Sequence, residues 1–225
     1  MTDRPTLFSA TMVNALLREA RNPGTGKTQT RRLIAPTNRE MAEGQILIFE
    51  GPNFGGTAYR FEPRYAVGDR LYVREEWKTT PAYDDLAPSD MGGDEPIYYP
   101  ADGATFNWAE ADGDRLGRRR AGMHMPRWAS RLTLIVEDVR VERLQAISEA
   151  DAIAEGTSCW VCGGRVDGSS ENDCACFHTR GVAVQSYQVL WNSLHTGQGE
   201  RWDDSPFVVA VTFRVVRGNI DQVSA

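Results

Sequence analysis

The feature that most constrains the fold is a long alternation of apolar and polar residues over Leu132–Leu144. Apolar residues recur on even positions up to Val136 and on odd positions from Val139 onward, so the two-residue period of a β-strand changes phase once. Because one extra residue in a strand produces such a change, the pattern predicts a β-bulge near Asp138. A strand of this length leaves many backbone groups to be paired, and the chain is therefore expected to build a sheet around it.

Shorter segments predict further strands and three helices. The other candidate strands are Thr28–Ile34, Gln45–Phe49, Thr57–Phe61, Arg70–Glu75 and Phe207–Val216. Helical spacing of apolar residues predicts one helix over about 10–20, capped by Ser9, and another over Gly181–His195. Ser148 and Asp151 form a capping box that opens a short helix ending at Glu155-Gly156.

Strands spaced along the whole chain with a few peripheral helices predict an α+β or mainly-β fold, built on a small and partly closed barrel. No internal repeat and no linker is evident, so a single domain over residues 1–225 is expected. Two segments are interpreted as insertions in this domain, an acidic one at about 78–122 and a cysteine-rich one at about 157–180.

The overall charge excludes some classes of protein. With 25 basic and 31 acidic side chains, the net charge of -6 is unlike that of a protein that coats duplex DNA. No apolar run approaches the roughly 20 residues of a membrane-spanning helix. The N-terminal residues contain no apolar targeting stretch, and a cytoplasmic location in a bacterial or phage-infected cell, with no membrane partner, is expected.

The charges are nevertheless segregated along the chain. Asp84–Asp114 contains nine acidic residues and no basic one, which predicts a solvated loop with little core of its own. Arg115–Arg131 contains six arginines and no acid, and Arg18–Arg39 contains six basic residues and one acid. Two basic segments in an acidic protein favour an anionic ligand held between them, the alternative being two solvated faces that balance the acidic loop.

All four cysteines lie in one 18-residue window. They are Cys159, Cys162, Cys174 and Cys176, and His178 is a substitute for one of the last two because the Cys-x-Cys spacing is unusually tight. In a reducing compartment such a cluster indicates a metal rather than disulfides. A closed set of four ligands predicts a structural Zn²⁺ in a zinc-knuckle-like insertion.

A second cluster of polar residues follows a glycine-rich turn, at Lys27–Arg32. If this segment is a strand, Thr28, Thr30 and Arg32 share one face, and Lys27 can lean toward it from the strand's start. A lysine crowded by arginines holds its proton less tightly and can act as a base, which makes Thr30 a candidate nucleophile. The alternative interpretation is a solvated edge strand.

Several segments together resemble the ASCH domain family, whose members have a PUA-like β-barrel related to RNA-binding modules. The resemblance rests on Lys27–Arg32, Tyr65–Glu75, the strand Leu132–Leu144 and the following run Leu144–Gly156. A further segment, Met123–Arg131, is similar to the version of the domain found in phage and prophage genomes. The resemblance covers most of the chain outside the two insertions.

Some small bacterial ASCH proteins are amidohydrolases that remove the acetyl group of N4-acetylcytidine through a Lys-Thr-x-Thr-x-Arg motif and a glutamate. By this resemblance Lys27 matches the lysine, Thr30 the threonine and Glu155 the glutamate, which orients the lysine or donates a proton. The implied substrate is a modified nucleoside or base, alone or within RNA. No cofactor is needed for this catalysis.

Other residues are candidates for binding the substrate. Arg32 and Arg74 are expected to stabilise an oxyanion or a carbonyl of the base, and Arg127 to bind substrate as well. Trp77 and Trp128 are candidates for stacking on a pyrimidine, the alternative being packing in the core.

Two further functions remain open from the sequence. A non-catalytic module that binds RNA or a modified base would use the arginines of Arg115–Arg131. A metal-independent ribonuclease would use Lys27 and the arginines to stabilise a phosphorane.

Overall fold

The computed structural model describes residues 1–34, 64–109, 115–164 and 182–223, together with the backbone of 46–47 and 59–60. These residues form a mixed five-stranded sheet with a few helices, which confirms the predicted α+β class. The strands are β1 (Asp3–Leu7), β2 (Gln29–Leu33), β3 (Ile46–Leu47), β4 (Tyr59–Arg60), β5 (Arg70–Arg74), β6 (Ile97–Tyr99), β7 (Ala104–Phe106), β8 (Leu132–Arg143) and β9 (Phe207–Arg217). The helices are α1 (Ala10–Arg21), α2 (Glu149–Ala154) and α3 (Val182–Leu194).

The main sheet has the strand order β1-β5-β8-β9-β2. β1 runs parallel to β5, and the other three pairs are antiparallel. β8 and β9 form the longest pair, from Leu132 opposite Arg217 to Arg143 opposite Phe207. Their register shifts between Val136 and Asp138, so the predicted bulge is confirmed. β3 pairs with β4, and β6 with β7, in two small hairpins.

β1 and β2 are the two edges of the main sheet, and they approach each other. Nη2 of Arg32, in β2, donates a hydrogen bond to the carbonyl oxygen of Leu7, in β1, at 2.8 Å. A single arginine side chain therefore spans the distance between the edges. No backbone ladder joins these two strands in the described residues, so the sheet there is curled and open, and no closed barrel is formed.

The main core lies between α1 and one face of the sheet. Ser9 accepts a hydrogen bond from the backbone of Met12 at 3.5 Å, which confirms the predicted cap of α1. The apolar side of α1 then buries Val13, Leu16 and Leu17 against the sheet, as expected from their helical spacing. The sheet contributes Leu71, Val73, Leu132, Leu134, Val136, Val209, Val211 and Phe213 to this core.

A second core lies under α2 and α3. Ser148 and Asp151 form the predicted capping box at the start of α2, and Gly156 ends the helix with a positive φ of 73°. Ala152, Tyr187 and Trp191 are buried here with the strand residue Val208. No helix in the described part of the chain is long and apolar enough to cross a membrane.

The acidic segment departs from its prediction. Instead of a solvated loop with little core, it contains the β6–β7 hairpin and buries Met91, Ile97 and Tyr99 in a third core. The reason is that its apolar partners come from outside the segment, since Trp77 and Met125 complete this core. Residues 110–114 of the segment lie outside the described residues.

If the third core is part of the cooperatively folded domain, Ile97→Ala should lower the free energy of unfolding by about 2–5 kcal/mol, because Ile97 is fully buried. Urea denaturation followed by circular dichroism measures this change. Leu116→Ala is the control, since Leu116 is 40% exposed and its loss should cost less than about 0.5 kcal/mol. Equal effects of the two substitutions would contradict the inclusion of this segment in the folded domain.

Candidate active site

The glycine-rich turn between α1 and β2 brings Lys27 into the interior. The carboxylate of Glu19 accepts hydrogen bonds from the backbone nitrogens of Gly24, at 2.9 and 3.0 Å, and Gly26, at 2.8 Å. Gly26 lies so close to α1 that a Cβ at this position would be 2.3 Å from the carbonyl oxygen of Ala15. The same oxygen accepts from the backbone nitrogen of Lys27 at 3.1 Å. The turn thus holds the start of β2 directly against the helix.

Lys27 and Glu155 meet in the interior although 128 positions separate them. Nζ of Lys27 donates to Oε2 of Glu155 at 2.8 Å and to the carbonyl oxygen of Glu155 at 2.7 Å. Their side chains are 2% and 4% exposed. The end of α2 is fixed beside β2, because the backbone nitrogen of Thr28 donates to the carbonyl oxygen of Ala154 at 2.9 Å. Of the chain's two lysines, this one is therefore a buried ion-pair partner.

Gly156 makes this close approach sterically feasible. A Cβ at Gly156 would lie 2.8 Å from Cβ of Lys27 and 2.9 Å from Cβ of Ala15. Distances below 3.0 Å require a neighbour to move, so a larger residue here would displace Lys27 or α1. The glycine that ends α2 therefore also shapes the lysine site.

Arg31 holds the other oxygen of Glu155. Its side chain is fully buried, and Nη1 donates to Oε1 of Glu155 at 3.0 Å. The same nitrogen donates to the side chain of Gln29 at 2.5 Å, and Nη2 donates to Glu142 at 2.7 Å. Each oxygen of the Glu155 carboxylate is thus bound by a different cation.

Sequence reasoning missed Arg31 and selected Arg32 instead. The signal was present in the strand period, because Gln29, Arg31 and Leu33 share one face of β2, and Leu33 packs against the second core. An arginine on a face that also carries a core leucine is expected to be buried, and a buried arginine needs acidic partners.

The environment of Lys27 lowers the pKa of its amine below the usual 10.5. Burial is the largest cause, because the protonated amine is removed from water. The charge and hydrogen bond of Glu155 act in the opposite direction, while the charges of Arg32 and Arg31 lower the pKa further. The neutral amine is therefore more accessible than in an exposed lysine, as a base requires.

Thr30 lies on the opposite face of β2 from Arg31. It is 5% exposed and lies opposite Val211 of β9, a residue of the main core. Among the described residues its hydroxyl has no hydrogen-bond partner, and in particular it is not bonded to Lys27 or Glu155. The structure thus joins Lys27 directly to Glu155 and leaves the Thr30 hydroxyl available for another group.

Arg32 and Lys27 flank the opening between the two edge strands. The guanidinium carbon of Arg32 lies 5.3 Å from the centroid of the Phe8 ring, and Nζ of Lys27 lies 5.8 Å from the same centroid. Phe8 directly follows Leu7, whose carbonyl oxygen binds Arg32. We call the opening lined by Leu7, Phe8, Lys27 and Arg32 the seam. Two cations and a ring line this gap in the sheet.

Arg74 lies next to the seam, but its side chain is directed elsewhere. The backbone nitrogen of Phe8 donates to the Arg74 carbonyl oxygen at 3.1 Å. The Arg74 guanidinium, however, donates to the carbonyl oxygen of Met123 at 3.0 Å and lies 5.4 Å from the Tyr72 ring. In this arrangement Arg74 fixes the segment around Met123.

The remaining predicted substrate-binding residues belong to other parts of the fold. Trp77 is fully buried in the third core, with Arg120 packed at 5.1 Å from its ring, and Trp128 packs against the same core. Arg127 forms ion pairs at 2.6 Å with both Asp3 and Asp221. These residues pack the third core or tie chain segments together, and none contacts Lys27 or Glu155.

Two of the four cysteines lie in a tight turn after α2. The backbone nitrogen of Cys159 donates to the Gly164 carbonyl oxygen at 2.7 Å, and the nitrogen of Gly163 donates back to Cys159 at 2.8 Å. Gly163 has a φ of 71°, which favours glycine. Cys159 is buried and Cys162 is exposed. Within the residues that the structure describes, no three histidine, cysteine or acidic side chains are grouped to hold a metal ion. The predicted ligands Cys174, Cys176 and His178 lie outside those residues.

No protein-family model, curated protein or solved structure matches the chain. Function therefore has to be inferred from the chemistry of the seam and of the buried pair Lys27 and Glu155. This chemistry combines a lysine of lowered pKa, a fixed carboxylate and an unbonded threonine hydroxyl.

Proposed function

We propose that the protein is an amidohydrolase that removes acyl groups from N4-acylated cytosine or cytidine compounds, with an ASCH-type, PUA-like domain. The observation that carries the proposal is the buried hydrogen bond of 2.8 Å between Lys27 and Glu155. The residues that form it are those matched by the ASCH resemblance. The curled sheet, whose two edges are bridged by Arg32, is consistent with a barrel of the PUA-like kind.

In the proposed reaction Thr30 is the nucleophile and Lys27 the base. Neutral Lys27 takes the hydroxyl proton as Thr30 Oγ attacks the acyl carbonyl carbon. Glu155 accepts a hydrogen bond from the amine and keeps it oriented, and the proton then passes from Lys27 to the departing N4 amine of cytosine. Water, deprotonated by Lys27, then hydrolyses the acyl ester of Thr30, which releases a carboxylic acid and restores the hydroxyl. The positive charge of Arg32 at the seam stabilises a carbonyl oxygen of the base.

The lowered pKa of Lys27 supports this assignment. An exposed lysine is almost fully protonated at neutral pH and cannot accept a proton. Burial of Lys27 and the charges of Arg32 and Arg31 favour the neutral amine. The charge and hydrogen bond of Glu155 favour the protonated amine, which forms when Lys27 accepts a proton. A lysine that must alternate between the two forms benefits from both influences.

A second candidate function is binding of RNA or of a modified base without catalysis. It is favoured by Arg115, Arg118 and Arg119, which are exposed, although Arg119 also pairs with Glu76 at 2.6 Å. Contacts of this kind to phosphates carry affinity without sequence preference. Such binding would be sensitive to salt and indifferent to the Thr30 hydroxyl.

Thr30→Val is the sharpest test of the amidohydrolase. Valine has the shape of threonine but no hydroxyl, and that hydroxyl has no partner in the described structure, so the variant should fold normally. It should lose at least about 1,000-fold in release of cytidine from N4-acetylcytidine, measured by chromatography. Lys27→Ala should likewise abolish turnover, whereas Lys78→Ala, which removes the other lysine, should not.

Unchanged turnover in a folded Thr30→Val protein would reject Thr30 as the nucleophile. If the wild-type protein releases no cytidine and both proteins bind single-stranded RNA equally, in a salt-dependent manner, the binding function replaces the enzyme. Circular dichroism and thermal unfolding of each variant establish that it is folded.

The rate should rise with pH as Lys27 loses its proton, and this rise should lie below the usual lysine pKa of 10.5 because burial lowers the pKa of Lys27. Arg32→Gln removes a charge that lowers this pKa further, so its rise should shift to higher pH. The pH dependence of kcat/KM measures the shift. Arg214→Gln is the control, because Arg214 is exposed and pairs with Glu137. A shift to lower pH in Arg32→Gln would contradict the role of Lys27.

We also propose that Cys159, Cys162, Cys174 and Cys176 hold a structural Zn²⁺, with His178 as the alternative to Cys174 or Cys176. The Cys159–Gly164 turn supports this, because its reciprocal backbone hydrogen bonds and the left-handed Gly163 are suited to a pair of thiolates two residues apart. The ion would stabilise a polar segment and take no part in catalysis.

Purified protein should contain about one zinc per chain by elemental analysis, and chelation should lower Tm. Cys162→Ser should reduce both zinc content and Tm, because a closed site loses most of its affinity with one ligand removed. Ser158→Ala, at an exposed neighbouring position, should retain both. Zinc-free protein whose Tm does not respond to chelation or to Cys162→Ser would contradict the site.

A further inference from the structure

Arg31 is a fully buried cation at the lysine site, and the proposed reaction gives it no step of its own. Its side chain is 0% exposed, and its backbone lies opposite Ala210 of β9. Because the side chains of successive strand residues point to opposite faces, Arg31 is on the face of β2 away from Thr30. Arg31 is therefore placed to act on Glu155 and Lys27 rather than on a bound substrate.

Several side chains hold the Arg31 guanidinium in one orientation. Nε and Nη2 both donate to Oε1 of Glu142 in β8, at 3.2 and 2.7 Å. Nη2 also lies 3.6 Å from Oδ2 of Asp151 in α2, and Nη1 donates to the side-chain oxygen of Gln29 at 2.5 Å. All three nitrogens are thus engaged, and a planar guanidinium held in this way is a rigid donor.

The carboxylate of Glu155 is shared between Arg31 and Lys27. Nη1 of Arg31 donates to Oε1 at 3.0 Å, while Nζ of Lys27 donates to Oε2 at 2.8 Å. The torsion that turns a glutamate carboxylate has broad preferences, so this group does not fix its own orientation. Because Oε1 is bound to a rigid guanidinium, the carboxylate is held with Oε2 toward the amine.

We propose that Arg31 is a positioning residue, which binds Oε1 of Glu155 so that one carboxylate oxygen is fixed toward the Lys27 amine and the negative charge is shared between two cations. This inference rests on the proposed amidohydrolase function and deepens it. A carboxylate that faced the lysine alone would hold the amine in its protonated form, in which it cannot act as a base. Arg31 offsets this charge and keeps the hydrogen bond that orients the amine.

The charges around the pair agree with this role. Burial lowers the pKa of the Lys27 amine, the charge of Glu155 raises it, and the charges of Arg32 and Arg31 lower it again. Burial, followed by the charge of Glu155, raises the pKa of Tyr187 in α3 well above 10, so its phenol stays neutral. The other acids near the pair bind elsewhere: Glu142 and Asp151 pair with Arg31, and Glu19 of α1 accepts from the backbone of Gly24 and Gly26.

Arg31→Gln combined with Glu142→Gln tests the proposal. Removing the arginine alone would leave its acids unbalanced, whereas neutralising both partners of a buried pair is better tolerated. Because the chain has two lysines, Lys27 and Lys78, NMR of protein labelled with carbon-13 at lysine Cε follows each amine separately. The titration midpoint of Lys27 should rise by at least about one pH unit, and that of Lys78 should not change.

The kinetics should follow the titration. The rise of kcat/KM for N4-acetylcytidine with pH should move upward with the Lys27 midpoint, so kcat at neutral pH should fall about tenfold or more. KM should stay within about threefold, since Arg31 faces away from Thr30. Arg70→Gln with Asp3→Asn is the matched control, because Arg70 also donates two hydrogen bonds of 2.8 Å to one carboxylate, that of Asp3. This control should leave the Lys27 midpoint unchanged.

Arg31→Lys separates charge from positioning. It keeps the positive charge, so the Lys27 midpoint should lie within about 0.5 pH unit of the wild-type value. An ammonium lacks the planar fork that engages Gln29, Glu142 and Glu155 together, so kcat above the midpoint should still fall about threefold or more, with KM unchanged. Circular dichroism establishes that each variant is folded.

The outcomes distinguish this inference from the proposed function. If the wild-type protein releases cytidine, the role of Arg31 is overturned by an unshifted Lys27 midpoint in the paired variant, by an equal shift in the Arg70 and Asp3 control, or by wild-type kcat in Arg31→Lys. The last result decides the question on its own if the paired variant does not fold. Absence of turnover in the wild-type protein rejects the amidohydrolase and this inference with it.

Discussion

The buried contact between Lys27 and Glu155 is the constraint on which the site depends. Two charges withdrawn from water are tolerated only when they are paired and hydrogen-bonded, and removing one partner of such a pair costs about 3–5 kcal/mol. The structure satisfies both charges, because the lysine amine donates hydrogen bonds to the carboxylate and to the backbone carbonyl oxygen of Glu155. The glycines at 26 and 156 allow α1, β2 and the end of α2 to converge on the pair. The backbone conformation of three separate segments thus makes this one ion pair possible.

The two faces of the edge strand β2 carry side chains with different surroundings. Its face toward α2 and α3 carries Gln29 and Arg31, which are bonded into a network with acidic side chains. Its other face carries Thr30 and Arg32 toward the main core and the seam. Because successive residues of a strand alternate, one short segment supplies both the groups that hold Glu155 in place and the groups that face the main core and the seam.

Regular periodicity made much of the fold predictable. Contacts between residues far apart in the sequence could not be predicted in this way. The alternation around Val136 predicted both the long strand and its bulge, and Ser148 with Asp151 predicted the start of α2, because these signals are local. The proximity of Glu155 to Lys27 came only from the family resemblance, since no local signal links positions so far apart. Arg31 was missed because a charged residue on a strand is usually solvated. The core around Ile97 was missed because its partners lie outside the acidic segment.

The strand order has a consequence for the time at which the site can exist. β2 is synthesised early, but in the sheet it is hydrogen-bonded only to β9 among the described strands, and β9 is bonded in turn to β8. The strand that follows Lys27 therefore has no sheet neighbour until residues 207–217 have left the ribosome. A nascent chain that has already produced Lys27, Thr30 and Glu155 still lacks the scaffold that orients them. The arrangement of Lys27, Thr30 and Glu155 is thus complete only once β9 has been synthesised and has paired with β2.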